Sequence, residues 1–161
     1  MTRSQSHGEG LSLRPAAEDD VEVLFVLRND PESVEFSGTA RAVTWEEHRE
    51  WFARCLTGAA TSIWIGESNG DVVGQVRVDI DGGSATVSIA VIPERRGCGY
   101  AMEMLRHLQL KMAADHPTPE LVANVHRDNA ASRRLFERSG FVCTDDQSEF
   151  QVFRWCGRSV E

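Results

Sequence analysis

Apolar and polar residues follow one another at two spacings along the chain, and these spacings predict its secondary structure. Apolar residues three and four positions apart predict helices at residues 18–28, 44–57, 100 to about 116, and 129–139. Alternating or continuous apolar runs predict strands at residues 11–14, 62–68, 72–80, 85–92, 121–126, 141–144 and 150–156. This order of elements favours a single α/β domain, with helices flanking a mixed, mostly antiparallel sheet.

Short polar signals mark several boundaries of these elements. Thr44 followed by Glu47 has the pattern of a capping box and predicts the start of the second helix. Asn69-Gly70 lies between two predicted strands and is typical of a type I′ hairpin turn. Gly140 follows the last predicted helix, where glycine commonly ends a helix in the left-handed conformation.

The segment from Val91 to Ala101 carries the strongest chemical signal. An apolar strand ends at Pro93, and a short basic turn with Gly97 and Gly99 leads directly into a helix. Backbone N–H groups in such a turn converge with the positive end of the helix, and glycine allows an anion to approach closely. The segment therefore predicts a phosphate or pyrophosphate site. It has neither the GxxxxGK[ST] pattern of nucleoside triphosphatases nor the GxGxxG pattern of dinucleotide folds.

Composition narrows the range of partners. The formal net charge is −8, which disfavours nucleic acid and anionic membrane surfaces and is compatible with a cationic amine substrate. The four cysteines form no CxxC pair and no cluster with histidine, so neither a metal site nor a disulfide framework is expected. Reduced thiols are typical of a cytoplasmic protein.

The length and the apolar runs predict one domain without a membrane segment. We expect a domain at residues 11–156 between loose tails at 1–10 and 157–161. The first ten residues contain no apolar stretch of the kind that a signal peptide needs. No apolar run approaches the 18 residues expected of a membrane-spanning helix.

Two sequence blocks resemble the GCN5-related N-acetyltransferase (GNAT) family. Residues 96–101, RGCGYA, resemble the R-x-x-G-x-A loop that holds the pyrophosphate of acetyl-CoA in that family. Residues 124–141 resemble its closing motif, in which N-x-x-(A/S) opens a helix that ends before a G-F pair. The resemblance implies a GNAT fold with a splayed pair of strands, acetyl-CoA as the cofactor, and N-acetyltransferase activity.

The resemblance also implies which residues contact acetyl-CoA. Backbone groups of the fourth strand would pair with pantetheine, the loop would hold the pyrophosphate, and the helix-opening motif would reach the β-alanine portion. In chain order, the implied contacts are Ile89, Ala90, Val91, Arg95, Arg96, Gly97, Cys98, Gly99, Tyr100, Ala101, Asn129 and Ser132. Asn129 is also expected to cap the last helix.

The groups that move protons in many relatives are missing from the matching positions. A tyrosine that protonates the leaving thiolate is replaced by Phe136, and a glutamate base is replaced by Asn124. Tyr100, the one tyrosine of the chain, lies in the predicted phosphate loop. Its position fits a surface residue better than a catalytic acid. His126 is the remaining candidate base, because histidine titrates near neutral pH. Two alternatives stay open: a structural role for His126, and deprotonation of the amine through solvent.

The acceptor is predicted from the region before the cofactor motifs. Residues 27–34 and 43–52 resemble the RN-x-P and I-T-x-E-E-H-x-x-W patterns of aminosugar acetyltransferases, such as those of pseudaminic acid biosynthesis. Glu35 departs from the pattern, since an arginine is usual there. The expected acceptor contacts are Asn29, Glu35, Trp45, His48 and Trp51.

The expected acceptor is therefore a small-molecule primary amine, an aminosugar or its nucleotide conjugate. Acetylation of a protein N-terminus or lysine is an alternative, and it would need an open acidic groove near Glu32, Glu35 and Glu46. A non-catalytic acyl-CoA-binding domain is another, because both proton-transfer groups are replaced. Many relatives dimerise, so a homodimer is also considered.

Overall fold

The computed structural model describes residues 10–114 and 119–157. Most of the two predicted tails, residues 1–9 and 158–161, lies outside the described residues. The predicted end of the third long helix at residues 116–117 also lies outside them.

Five helices and seven strands make up the described part of the chain. The helices are α1 (Val21–Arg28), α2 (Pro31–Glu35), α3 (Trp45–Thr57), α4 (Tyr100–Ala113) and α5 (Ala130–Arg138). The strands are β1 (Leu11–Pro15), β2 (Thr61–Ser68), β3 (Asp71–Asp81), β4 (Ser84–Val91), β5 (Glu120–His126), β6 (Val142–Asp145) and β7 (Phe150–Trp155). Short 3₁₀ turns at Glu18–Asp20 and Pro93–Arg95 precede α1 and α4.

The local signals for helix ends and turns act as predicted. The Thr44 side chain accepts a hydrogen bond from the N–H of Glu47, and the Glu47 carboxylate accepts one from the N–H of Thr44, which closes the capping box of α3. Asn69 and Gly70 both have positive φ, as a type I′ turn requires. Gly140, with φ of 87°, follows α5.

The first predicted helix ends at Arg28 as expected, but a separate short helix, α2, follows it and was not predicted. Pro31 opens this helix. Proline is well suited to a first helical position, and the Asp30 side chain caps the helix by accepting the N–H of Ser33. Pro15 was expected to end the first strand, but it pairs with Trp64 inside it. An edge strand tolerates this because one of its sides has no strand partner to bond.

The seven strands form one sheet in the order β1-β2-β3-β4-β5-β7-β6. Every neighbouring pair is antiparallel except β4 and β5, which are parallel. The predicted fold class, a single domain with a mixed and mostly antiparallel sheet between helices, is confirmed.

Apolar side chains cover both faces of the sheet. The larger core joins the inner face of α4 and Phe136 of α5 to one face, and includes Leu105, Leu108 and Phe153. The smaller core joins α1 and α3 to the other face, through Leu24, Leu27, Phe52, Ile63 and Ile65. Residues at even positions of β4 and β5 therefore face α1 and α3, because side chains alternate along a strand.

The parallel pair separates soon after it begins. Only Ser84, Ala85 and Thr86 of β4 pair with β5, whereas the strand continues to Val91 alongside β3. The expected splayed pair is thus present, and the later part of β4 has one edge that no strand covers. Its peptide groups on that edge can bond an extended ligand, which is how a chain adds to a sheet edge.

Candidate active site

The loop before α4 presents backbone groups whose geometry suits an anion. Gly97 and Gly99 have φ of 77° and 83°, a left-handed conformation that glycine adopts without strain. Gly99 is the N-cap of α4 and provides no side-chain acceptor for the N–H groups of the first turn. These N–H groups and the positive end of the helix remain available to a phosphate.

The two arginines of this loop are paired with acids. Arg95 lies 2.9 Å from Asp71, and Arg96 lies 2.7 Å from both Asp30 and Glu32. The hydrogen bond from Arg96 lowers the pKa of Asp30 below its ordinary value, although partial burial opposes this. Since both guanidinium groups already have carboxylate partners, the backbone is the main unpaired anion donor of this loop.

Close packing against β3 fixes the position of the later part of β4. Gly74 of β3 is paired with Val91, and a Cβ atom at Gly74 would fall well inside contact distance of the Ala90 carbonyl oxygen. Glycine is therefore required where β3 approaches Ala90. This approach positions the backbone of Ile89, Ala90 and Val91, the segment predicted to meet pantetheine.

Asn129 caps α5 across the gap from β4. Its side-chain oxygen accepts a hydrogen bond from the N–H of Ser132 at 3.2 Å. The predicted capping role is thus present in the structure. The amide NH₂ group takes no part in the cap, so it is the part of Asn129 that can serve a ligand.

His126, at the end of β5, has hydrogen bonds on both ring nitrogens. Nδ1 accepts the N–H of Asp128 at 3.1 Å, so the proton of the neutral ring lies on Nε2, which donates to Glu149 at 2.9 Å. Phe36 and Phe150 pack against the ring. To accept a proton on Nδ1, the ring would first have to release Asp128.

Phe136 lies inside the larger core, 5% exposed. Its ring meets Phe141 edge-on at a centroid distance of 5.0 Å and stacks near Phe153. The position where relatives carry an acid is therefore a packing position here, and its side chain has no proton to donate.

A cavity of about 330 Å³ lies between α1, α3 and β3. It is lined by Arg28, Val43, Glu47, His48, Trp51 and Arg77. This size is within the range of small-molecule pockets. Two of the five predicted acceptor contacts, His48 and Trp51, line it.

His48 is buried and anchors α3 to the start of α1. It is 3% exposed, and its Nε2 atom bonds the carbonyl oxygen of Val21 at 2.9 Å. Burial lowers the pKa of His48, an effect that the bond to Val21 partly offsets and Arg28 adds to. The ring is therefore neutral near pH 7 and donates to Val21 through Nε2.

The other three predicted acceptor contacts do not line the cavity. The Asn29 side chain bonds both the N–H and the carbonyl of Val43, which ties the loop before α3 to the end of α1. Trp45 packs edge-on against Phe25 with centroids 5.2 Å apart. Glu35 is an exposed residue of α2.

Arg28 and Arg77 line the cavity but were not predicted as site residues. Arg28 directly precedes Asn29, in the same R-N pair that carried the resemblance. Arg77 is a polar position in the alternation of β3, which places it on the face opposite the larger core. The alternation of polar and apolar residues along β3 could have placed Arg77 on this face of the sheet. Only the packing of α1 on the sheet places Arg28 beside it.

Comparison with known proteins identifies the family of this chain. The family model described as an acetyltransferase (GNAT) domain matches residues 11–142. The chain belongs to the GNAT family. A search of curated proteins gave no significant match.

Solved structures share the GNAT fold over nearly the whole chain. A domain from Methanocaldococcus jannaschii superposes with a TM-score of 0.77 at 21% identity, covering 90% of this chain and 97% of that one. The spermidine N-acetyltransferase of Vibrio cholerae, solved with CoA and spermine, gives 0.79 at 18% identity, covering 91% and 94%. An N-acetyltransferase from Staphylococcus aureus Mu50 gives 0.75 at 20% identity, covering 93% and 100%.

Family membership gives the reaction class. This GNAT chain is an N-acetyltransferase, and acetyl-CoA is its cofactor. The uncapped helix and the uncovered edge of β4 are chemically suited to that cofactor, since one offers N–H groups to phosphate and the other offers peptide groups to amides. Among the described helices, none is long and apolar enough to cross a membrane.

Proposed function

We propose that this protein acetylates a primary amine of a small molecule that enters the cavity between α1, α3 and β3. The observation that carries the proposal is the position of the cavity on the sheet. Arg77, on its floor, is paired with Ser88 of β4, two residues before Ala90. The cavity lining thus includes a β3 residue that neighbours the segment of β4 where the thioester is expected.

In this proposal, acetyl-CoA lies along the C-terminal half of β4. The pyrophosphate meets the backbone of residues 95–101, including Gly97 and Gly99, and pantetheine pairs with Ile89, Ala90 and Val91. Asn129 donates through its amide to the β-alanine portion, next to Ser132. The support is the left-handed loop, the uncapped first turn of α4 and the three-residue pairing of β4 with β5.

The chemistry needs few side chains. The nitrogen of the neutral amine attacks the thioester carbonyl carbon, a backbone N–H of β4 stabilises the oxygen as it becomes negative, and the C–S bond then breaks. The amine proton passes to His126 after it releases Asp128, or to solvent. Phe136 cannot protonate the sulfur, so the thiolate takes its proton from water.

An aminosugar or a nucleotide-linked aminosugar is the acceptor that we propose within this class. Trp51 lines the cavity, and the part of its ring that Arg77 does not cover can contact the apolar face of a sugar. The relatives named as spermidine N-acetyltransferases share the fold at under 25% identity and do not determine the acceptor. Peptide acceptors would need an open acidic groove near Glu32, Glu35 and Glu46. Pairing of Glu32 with Arg96 reduces the negative charge available there.

The proposal is tested by release of free thiol from acetyl-CoA with a panel of amines. The panel contains an aminosugar, an aminosugar nucleotide, spermidine and N-terminal peptides at equal concentration. We expect the highest kcat/KM with a sugar amine, and a raised KM for it in Trp51→Leu, with Trp45→Leu as the matched control. Preference for peptides would contradict the aminosugar assignment. Melting curves of the two variants would distinguish the loss of an acceptor contact from a loss of core packing.

A further inference from the structure

Arg28 brings an incompletely paired positive charge to the cavity. Its Nη2 atom donates to Thr39 at 3.3 Å, whereas Nη1 is buried without a hydrogen-bond partner among the described residues. The described part of the chain places no carboxylate within ion-pair distance of Arg28. A buried donor without a partner destabilises the folded chain, and more so when it is charged. Such a cost is commonly retained where a ligand supplies the missing acceptor.

Other positive charges face the same space. Arg77 stacks on Trp51 with its guanidinium carbon 5.3 Å from the ring centre, and it bonds Asp79 and Ser88. Burial lowers the pKa of Arg28, and repulsion by Arg77 and Arg41 adds to the effect.

The acid that lines the cavity does not neutralise these arginines. The Glu47 carboxylate accepts the N–H of Thr44 in the capping box and pairs with Arg41 at 3.4 Å. Arg77 is paired with Asp79 at 3.1 Å, so Arg28 carries the unpaired positive charge of the lining. The cavity therefore has a local positive charge although the chain as a whole carries −8. A positive, partly desolvated cavity attracts an anion and repels a polyamine.

We infer that Arg28 and Arg77 form an anion subsite that binds a carboxylate or phosphate group of the acceptor. The acceptor is then an amine that also carries a negative charge. Guanidinium groups suit this task, because their N–H groups match the oxygens of either anion. The inference rests on the proposed function for the position of the amine, and it specifies the chemical class of the acceptor.

The geometry sets a distance between the two groups of this acceptor. Arg77 is level with Ser88, and Ala90 lies two residues further along β4. Two strand residues span about 6.6 Å. An anion held near Arg77 would therefore lie several bonds from an amine at the thioester, as in an aminosugar phosphate or an amino acid whose side chain ends in a carboxylate.

Matched acceptors that differ in one charge provide the test. Glucosamine 6-phosphate is compared with glucosamine for phosphate, and an amino acid with its amide for carboxylate. We expect the wild-type protein to prefer the anionic member of at least one pair by tenfold or more in kcat/KM. Whichever pair shows the preference identifies the source of the anion.

Variants of the two arginines assign the preference to the cavity. Arg28→Gln and Arg77→Gln should remove most of the preference for the anionic acceptor by raising its KM. The KM for acetyl-CoA should stay unchanged, and Arg28→Lys should restore part of the preference. Arg49→Gln, at an exposed position of α3 outside the cavity lining, is the control with the same charge change. Equal losses on charged and neutral acceptors, or a wild-type preference for spermidine, would overturn the inference.

Two further measurements test the anion subsite independently of the proposed function. Arg28→Gln should melt at the same or a higher temperature than the wild type, because it removes a buried unpaired charge; a clear loss of stability would mean that Arg28 is structural. If no amine in the panel is acetylated, calorimetry with inorganic phosphate and with acetate tests the subsite directly. Binding that disappears in Arg28→Gln supports it, and equal binding by both proteins refutes it.

Discussion

Arg96 of the phosphate loop and Asp30 at the start of α2 are joined by an ion pair, with Nη2 2.7 Å from Oδ2. The Asp30 carboxylate also caps α2 by accepting the N–H of Ser33. The Asp30 carboxylate therefore connects the loop before α4 to the segment between α1 and α3. A second bond from Arg96, to Glu32, strengthens the connection.

Replacing Arg96 should show a small, pH-dependent loss of stability. Asp30 has a lowered pKa, so the pair contributes stability above the ordinary pKa of aspartate, and this contribution is lost as the pH falls through the lowered value. Arg96→Gln should cost less than about 1 kcal/mol at pH 7, because water screens the pair. The difference from wild type should shrink towards pH 3. Urea unfolding at both pH values measures it, and Arg95→Gln, in a more exposed pair, should cost less.

Gly99→Asp should weaken acetyl-CoA binding by at least tenfold, about 1.4 kcal/mol. The substitution places a carboxylate where the pyrophosphate is expected to lie. It also puts a side chain at a φ of 83°, so backbone strain must be separated from charge. Gly99→Asn is the matched control, since it has the same shape and strain without the charge. Calorimetry that gives equal affinities for the two variants would rule out the anion site at this turn.

Gly74→Ala should move the edge of β4. Its Cβ would meet the carbonyl oxygen of Ala90, which is backbone and cannot rotate away, so we expect a loss of about 1–3 kcal/mol. Weaker acetyl-CoA binding should accompany the loss. At Gly66 the added Cβ would meet the flexible side chain of Met104, and Gly66→Ala should therefore cost less. Thermal unfolding and calorimetry on both variants test the comparison, and an equal cost at the two sites would contradict it.

His126→Gln distinguishes a histidine base from solvent. If His126 accepts the amine proton, kcat should fall by about 10²–10⁴-fold. Glutamine retains a donor for Glu149, which limits structural loss. A fall of less than about fivefold would assign the proton to solvent, as the occupied ring nitrogens favour. Glu149→Gln is the control for the hydrogen bond alone.

The lowered pKa of His48 predicts a loss of stability in weak acid. Below the ordinary histidine value near 6.5, the unfolded chain takes up a proton that buried His48 resists, so unfolding is favoured as the pH falls. His48→Gln keeps a donor for the Val21 carbonyl but does not titrate. The wild type should therefore lose more stability than this variant between pH 7 and pH 5. Urea midpoints at the two pH values that shift equally in both proteins would exclude His48 as the cause.

The sequence by itself determined the order of the elements and the glycine turn before α4. Periodicity located the strands and the long helices, and the capping box at Thr44 and the turn at Asn69-Gly70 set their boundaries. These signals are local, because each depends on residues close together in the chain. The phosphate loop was also predictable, since Gly97, Gly99 and the start of α4 lie within a few residues of one another.

Tertiary structure decided the acceptor side. Arg28 comes from α1 and Arg77 from β3, and only the packing of α1 and α3 on the sheet brings them to one cavity. The same packing buries His48 against Val21 and engages Asn29 with Val43, so both side chains hold neighbouring elements together. Contacts between residues far apart in sequence depend on where whole elements pack, and the local pattern of residues does not encode that.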